Sequence, residues 1–209
     1  LGSLAVLAWR GPGRPTGRLT GGAVAVIEVK GVIVSGSGGN IPGAQGRAYA
    51  QDVIQDLEKA LASPDVKAIV LEVDSPGGSV VASADIHRAL GASPKPIVTS
   101  MGELAASGGY YIACATRHIV VRRDTLTGSI GVIWQFSNAE KLLKTLGVEF
   151  QIIKSGKHKD EGGLHRPLTA EEVAMYQAIV DEAYNDFVGV VARGRNMAEE
   201  RVRALADGR

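Results

Sequence analysis

The 209-residue chain holds a single cysteine, Cys114. One cysteine excludes an internal disulfide framework and any CxxC zinc or redox motif, so the chain is redox-silent and suited to any compartment. Neither charge sign is in excess: 23 Lys+Arg stand against 22 Asp+Glu, a formal net charge of +1. That balance gives no reason to expect nucleic acid or an anionic membrane surface as a partner. No stretch reaches the roughly 18–20 apolar residues of a spanning helix. The nearest, Leu4-Ala5-Val6-Leu7-Ala8-Trp9, is short and runs straight into Arg10-Gly11-Pro12-Gly13-Arg14-Pro15. It fits the tail of a membrane anchor or a loose terminus. No charged start, apolar run and cleavage site of an intact signal peptide is present. Internal repeats are not apparent.

Glycine is abundant, 27 of 209 residues, or about 13% against a usual ~7%. So many glycines imply many places where the backbone turns sharply or approaches something closely. A hydrophobic content of 45% with 22% charged residues is that of a folded globular protein. The length fits one domain. A chain this long buries roughly 70% of its extended surface and needs no disulfide or metal staple.

Residues 1–22 read as a flexible arm, rich in Gly, Pro, Arg and Thr, which buries too little to order itself. From Ala23 the pattern changes. Apolar runs of strand length occur at Val24–Val29, Val66–Val73, Pro96–Met101, His118–Val121 and Val148–Ile153. Runs apolar on both faces predict strands covered on both sides, as in parallel sheets. Between them, Tyr49, Val53, Ile54, Leu57 and Leu61 recur at helical spacing, as do Val80, Ala84, Ile86 and Leu90. Ser137-Asn138-Ala139-Glu140 has capping-box spacing before Leu142, Leu143 and Leu146, and Thr169-Ala170-Glu171-Glu172 has it before a long helix. That helix carries Val173, Tyr176, Val180, Tyr184, Phe187 and Val191 on one stripe, and Asn196 is placed to cap a last helix containing Val202 and Leu205. Strands alternating with helices predict an α/β domain with a mostly parallel sheet and flanking helices. In such sheets ligands bind outside the carboxyl ends of the strands. Gly36-Ser37-Gly38-Gly39-Asn40 reads as a flexible loop near that end.

Three glycine-rich turns each follow a strand. Asp74-Ser75-Pro76-Gly77-Gly78-Ser79 is a tight turn whose N–H groups can point outward, with Ser79 beginning a helix. The geometry suits an oxyanion hole and equally a type II turn capping a helix. Gly102-Glu103-Leu104-Ala105-Ala106-Ser107-Gly108-Gly109-Tyr110-Tyr111 sets Ser107 among small residues, with the Gly108 N–H beside it. A nucleophile at a strand-to-helix turn is a recurring solution, though this is not GxSxG. The bland reading is a small-residue helix packed on a sheet. Leu126-Thr127-Gly128-Ser129-Ile130-Gly131-Val132 supplies hydroxyls able to orient a base.

A serine nucleophile needs a base. His87 falls within a helix and His118 at a strand start, whereas His158 and His165 flank a loop and stay open. The alternative is a lysine of Lys154-Ser155-Gly156-Lys157-His158-Lys159-Asp160. Its ordinary pKa of ~10.4 must fall to near neutrality, roughly 4 kcal/mol in favour of the neutral form, which apolar burial can supply.

Together, Asp74–Gly78, Ala105–Tyr111, Thr127–Gly131 and Lys154–Asp160 resemble signal peptide peptidase A, the S49 family of Ser–Lys serine peptidases on the ClpP/crotonase-like fold. The resemblance runs from about Ala23 to Arg209, with all four motifs in order, and makes 23–209 a peptidase domain. It implies Ser107 as nucleophile and Lys159, 52 residues on, as general base. It also implies Gly78 and Gly108 N–H groups as the oxyanion hole and Ser129 as the residue orienting the lysine. No cofactor or metal is implied. The implied substrates are remnant signal peptides and similar apolar peptides, cut at the membrane by a ring-like homo-oligomer. The implied location is membrane-associated and extracytoplasmic, through an N-terminal anchor. The competing readings are an NfeD-like membrane-associated Ser–Lys peptidase, a crotonase-like acyl-CoA enzyme and a non-catalytic assembly subunit. Both dyad residues are present, which argues against the last.

Overall fold

The structure, a computed structural model, describes residues 5–8, 22–39 and 46–209. The elements in chain order are β1 (Ala5–Ala8), β2 (Ala23–Lys30), β3 (Val32–Val34), β4 (Arg47–Tyr49), α1 (Ala50–Ala62), β5 (Val66–Ser75) and α2 (Val80–Gly91). They continue with β6 (Ile97–Ala106), α3 (Gly108–Ala113), β7 (His118–Val120), β8 (Leu126–Gly128), α4 (Glu140–Thr145), α5 (Ala170–Arg195) and α6 (Glu199–Leu205). The chain divides into two compact units, residues 1–131 with 186–209, and residues 132–185. The domain expected over 23–209 spans both.

In the first unit, six strands form one sheet in the order β1-β2-β5-β6-β7, with β8 also pairing β6. Every pairing in it is parallel. Of the arm expected over 1–22, the backbone of Ala5–Ala8 is ordered by the free edge of β2, where Ala5 registers with Ala23. Residues 1–4 and 9–21 lie outside the described residues. Asn40 of the expected Gly36–Asn40 loop does as well.

Alternation sorts the strands. Ile69, Leu71, Val73 and Ser75 of β5 are buried, as are Ile27 and Val29 of β2 and Ile97, Thr99 and Met101 of β6. On this face they meet Val53 and Leu57 of α1, Ile86 and Leu90 of α2 and Ile112 of α3. Each such aliphatic side chain contributes about 1.5–3 kcal/mol on burial. The opposite face is not covered as the sequence predicts. Val24, Val26 and Val70 are half-buried there, and Lys30 Nζ bridges Glu28 at 3.3 Å and Glu72 at 3.1 Å.

Helix ends bear out one sequence expectation and explain two differences. At α5 the capping box forms as expected: the Glu172 N–H donates to Thr169 Oγ1 (3.2 Å) and the Thr169 N–H to Glu172 Oε2 (2.8 Å). At α4 it does not. Asn138 Oδ1, rather than Ser137, accepts the Glu140 N–H at 2.8 Å, because the helix starts two residues later than the box requires. Asn196 ends α5 instead of starting α6: its φ is +52°, a left-handed conformation that asparagine tolerates, and the Met197 N–H closes onto Ala192 O at 3.0 Å.

The second unit contains α4 and the first part of α5. The strand expected over Val148–Ile153 is absent. Those residues form no regular element and are exposed, without a ladder partner among the described residues, and an apolar run without a neighbour to pair with makes no strand. Among the described residues, no helix is long and apolar enough to cross a membrane.

Candidate active site

β5 and β6 are neighbours, and both glycine-rich turns leave their carboxyl ends. β6 is longer by a bulge. Val73 registers with Met101 but Ser75 with Ala105, so Gly102–Leu104 face one residue of β5. Asp74 Oδ1 accepts the Leu104 N–H at 3.0 Å and Thr125 Oγ1 donates to Gly102 O at 2.7 Å, fixing the bulge. β8 then pairs with Leu104–Ala106, and Thr127 Oγ1 donates to Ala105 O at 2.7 Å.

Ser107 stands between β6 and α3 with φ +51° and ψ −121°. A non-glycine residue in this region carries about 1–3 kcal/mol of strain and persists only where its surroundings dictate it. They do. Its N–H donates to Gly128 O at 2.9 Å, and its carbonyl accepts the Tyr111 N–H at 2.9 Å in the first turn of α3. Tyr111 is held edge-on between His87 and Phe187, each with ring centroids at 5.1 Å. The Ser107 hydroxyl has no hydrogen-bond partner among the described residues, and the residue is half-buried.

The Pro76–Ser79 turn lies directly against this serine. A Cβ placed on Gly77 would come within 2.8 Å of Ser107 Cβ and 2.6 Å of Gly108 N. One placed on Gly108 would lie 3.3 Å from Gly78 N. Gly78 is required by its neighbour: with φ +157°, its Cβ would fall 2.0 Å from Ile33 O. Ile33 clamps the turn from that side. Its N–H donates to Gly77 O (2.8 Å), and its carbonyl accepts the Ser79 N–H (2.9 Å). In this parallel bridge the Gly78 amide points away from β3. Ser79 caps α2 by accepting the Ala82 N–H at 3.3 Å. Neither the Gly78 N–H nor the Gly108 N–H has an acceptor among the described residues. Gly108 is buried, and buried amides left unpaired are rare. Ser107, Gly78 and Gly108 are thus brought together as a hydroxyl beside two open donors.

Ser129 has φ +49°. Its N–H donates to Arg209 O at 2.5 Å, and its Oγ lies 3.4 Å from Gly208 O. It is joined to Ser107 only through the backbone of Gly128.

Among the proposed bases, His87 is occupied in the aromatic stack, where burial and Arg193 push its pKa down. His118 is exposed on β7. In the second unit, residues 154–172 form a dense ion-pair network. Arg166 donates to both oxygens of Asp160 (2.9 and 3.3 Å) and both of Glu172 (2.6 and 2.8 Å). Its hydrogen bonds hold the Asp160 carboxyl far below the ordinary range and bring Glu172 to about 2. Lys154 Nζ binds Asp160 Oδ1 (2.7 Å) and Lys157 O (2.9 Å), and Lys157 pairs with Glu171. His158 faces Glu161 and Glu171, while His165 faces Asp160 and stacks on Phe150. Lys159 differs: it is exposed, and its Nζ has no partner among the described residues. His158, Glu161 and Glu172 bring three potential metal-ligand atoms within 4.8 Å. Both oxygens of Glu172 are already engaged by Arg166 and the Thr169 N–H, so the group is explained as ion pairing.

The sequence reading missed Ser75, Gly128 O and Arg166. Gly128 acts through its carbonyl and Ser75 through a hydroxyl bonded to backbone groups, and neither leaves a side-chain pairing pattern. Arg166 had a signal, a basic residue six before Glu172 and six after Asp160, but no spacing rule ranks such a residue.

The sequence profile described as Peptidase family S49 matches residues 89–209, more than half of the chain. A protein of Synechocystis sp. named as a protease is 42% identical over 188 residues, covering 89% of this chain and 63% of its own length. An Enterococcus faecium protein bearing the name signal peptide peptidase SppA is 39% identical over 189 residues, covering 89% of this chain and 55% of its own. The chain therefore spans 63% and 55% of the lengths of these two relatives. A solved ClpP1 variant from Listeria monocytogenes superposes with a TM-score of 0.50 at 13% identity, covering 87% of this chain and 78% of the other, which is a likeness of fold. The parallel sheet, the paired glycine turns and the family profile lead to one assignment: the chain belongs to peptidase family S49.

Proposed function

We propose that this chain is a serine endopeptidase in which Ser107 is the nucleophile and Lys159 the general base. The observation that carries the reading is the Ser107 turn: a strained serine with an uncommitted hydroxyl, flanked by the open amides of Gly78 and Gly108. Neutral Lys159 takes the Ser107 proton as Oγ attacks the scissile carbonyl carbon. The carbonyl oxygen gains the electron pair and receives the Gly78 and Gly108 N–H groups. The C–N bond then breaks, and protonated Lys159 gives its proton to the leaving amine. Water hydrolyses the acyl-enzyme by the same route. Ser129 is assigned to orient the lysine amine.

Lys154 and Lys157 are held in ion pairs, which leaves Lys159 as the lysine of this motif without a partner among the described residues; it is exposed, so the apolar burial that a neutral lysine needs is assigned to bound substrate or a neighbouring subunit. The substrates are extended apolar peptides such as remnant signal peptides, met at a membrane by a ring-like homo-oligomer with its catalytic part outside the cytoplasm. The name of the Enterococcus faecium relative supports that substrate class. A thioester-acting enzyme would use the same two amides, but it has no need of a hydroxyl at a strained position 107. The test is cleavage of a fluorogenic peptide with a small apolar residue before the reporter. Wild type should cleave, and Ser107→Ala and Lys159→Ala should not. Cleavage retained by Ser107→Ala overturns the reading.

A further inference from the structure

Ser75 is the last residue of β5 and is completely buried, yet it is polar. A hydroxyl in such a place needs partners on both sides, and it has them. Ser75 Oγ donates to Gly31 O at 2.6 Å and accepts the Gly77 N–H at 3.1 Å. Gly31 is the corner between β2 and β3, and its own N–H donates to Asp74 O at 2.9 Å. Gly109, next to the Ser107 turn, leaves only 2.9 Å between its would-be Cβ and Ser75 O. One hydroxyl therefore ties the β2–β3 corner to the glycine turn, underneath the start of α3. Ile33 clamps that turn at Gly77 O and Ser79 N, and since Gly77 O and the Gly78 N–H belong to one trans peptide group, the bond from Ile33 aims the Gly78 N–H away from β3. The preceding peptide group, which carries the Gly77 N–H, is held from the sheet side by Ser75. The two bonds together fix both peptide planes of the glycine pair.

We propose that Ser75 is a positioning residue that fixes the Pro76–Gly77 peptide group and so, together with Ile33, steadies the Gly78 N–H as one of the two oxyanion donors. The proposal rests on the oxyanion-hole reading above. Losing a single such donor outright costs about 10²–10³ in kcat. Loosening it through Ser75→Ala should cost about 10- to 100-fold, because the amide remains but is less firmly held. An extended substrate binds along a surface, so KM should move by less than about two-fold if only transition-state binding is lost.

The experiment compares wild type, Ser75→Ala, Ser75→Thr and Ser107→Ala on the fluorogenic peptide, with a peptide aldehyde as probe. The aldehyde forms a bond from Ser107 Oγ to its carbonyl carbon, and its oxygen takes the place of the oxyanion. The expected result is a fall in kcat for Ser75→Ala at nearly constant KM. The aldehyde Ki should rise by the same factor, and Ser75→Thr should recover most of both. Thermal melting checks that each variant is folded. Should Ser75→Ala not fold, Ser75→Cys, which keeps the side-chain length with a weak acceptor, is read in the same way. A folded variant with wild-type kcat and Ki, beside an inactive Ser107→Ala, overturns this proposal alone. So does a loss of kcat without a rise in Ki. An active Ser107→Ala overturns the peptidase reading and this proposal with it.

Discussion

The Ser107 N–H donates to the Gly128 carbonyl at 2.9 Å, across the junction between β6 and β8. This bond sits at the end of the β6–β8 ladder. It is the last bond of that ladder, the one that closes the Ala106↔Gly128 pair, and beyond it the chain swings into α3 with a positive φ. The third glycine-rich motif therefore acts on the second through a carbonyl, whatever its hydroxyls do. Strain at Ser107 is maintained by β8, by the Tyr111 N–H and by the glycine turn pressed against its Cβ.

Strain of this kind predicts opposite effects on stability and activity. Ser107→Gly relieves a positive φ that costs about 1–3 kcal/mol, and part of that gain is offset by the entropy of glycine, about 0.5–1 kcal/mol. A net gain of about 1 kcal/mol raises Tm by roughly 2–4 °C in a chain of this size. Ser107→Ala keeps the strain and should melt close to wild type. Both variants should be inactive. Calorimetry on the three proteins checks this; a Ser107→Gly protein that melts below Ser107→Ala would refute the strain argument.

Gly78 is predicted to be intolerant for a local reason. A methyl group 2.0 Å from Ile33 O cannot be accommodated without moving the turn or β3. Gly78→Ala should lower kcat by about 10²–10³, the value of one displaced oxyanion donor. Gly36→Ala is the control: it also has positive φ, +87°, but nothing stands within 4 Å of its would-be Cβ. It should show only the modest instability of a strained φ and leave kcat unchanged. Steady-state kinetics on the two variants decide the matter.

Legibility in the sequence followed the type of interaction. β2, β5, β6 and β7 were legible as apolar runs of strand length, β1, β3, β4 and β8, of three or four residues, were not legible as strands, and Thr169-Ala170-Glu171-Glu172 was legible because a capping box is wholly local. Asn196 and Val148–Ile153 were misread for want of context. Asparagine both starts and ends helices, and an apolar run becomes a strand only where a ladder is available. The serine and the two glycine turns could be named from the motifs. Their mutual approach could not, since it depends on the parallel registry of β5 with β6 and on the bulge at Gly102–Leu104.

The Arg166 network makes a prediction about acid. Its hydrogen bonds depress the folded pKa of Glu172 to about 2, from an ordinary value of 4.5, and depress that of Asp160 as well. A depressed carboxylate contributes stability that is fully present above its unfolded pKa and is lost as pH falls through the folded value. Melting followed from pH 5 down to pH 2 should therefore show a progressive loss in wild type. Arg166→Ala should start lower at pH 5 and fall less steeply, since its carboxylates no longer bind protons so differently in the two states. Parallel slopes would mean that the network carries no linkage.

Lysine replacements separate the base from its neighbours. Lys157 makes an exposed pair with Glu171, and exposed pairs contribute about 0–1 kcal/mol. Lys157→Ala should keep near-wild-type kcat. Lys154 also binds Asp160 Oδ1 and Lys157 O, inside the loop that presents Lys159. Lys154→Ala should reduce kcat partially and lower the stability of the loop, with Lys154→Arg restoring both. Lys159 has no partner to stabilise among the described residues, so Lys159→Ala should leave Tm unchanged while removing the general-base contribution, about 10²–10⁴ in kcat. Only a residue held for chemistry gives that combination of intact stability and lost activity. Full activity in Lys159→Ala, with loss in Lys154→Ala or Lys157→Ala, would move the base to that lysine. Loss in none of the three would return the choice to His158 or His165, the two histidines of the same loop.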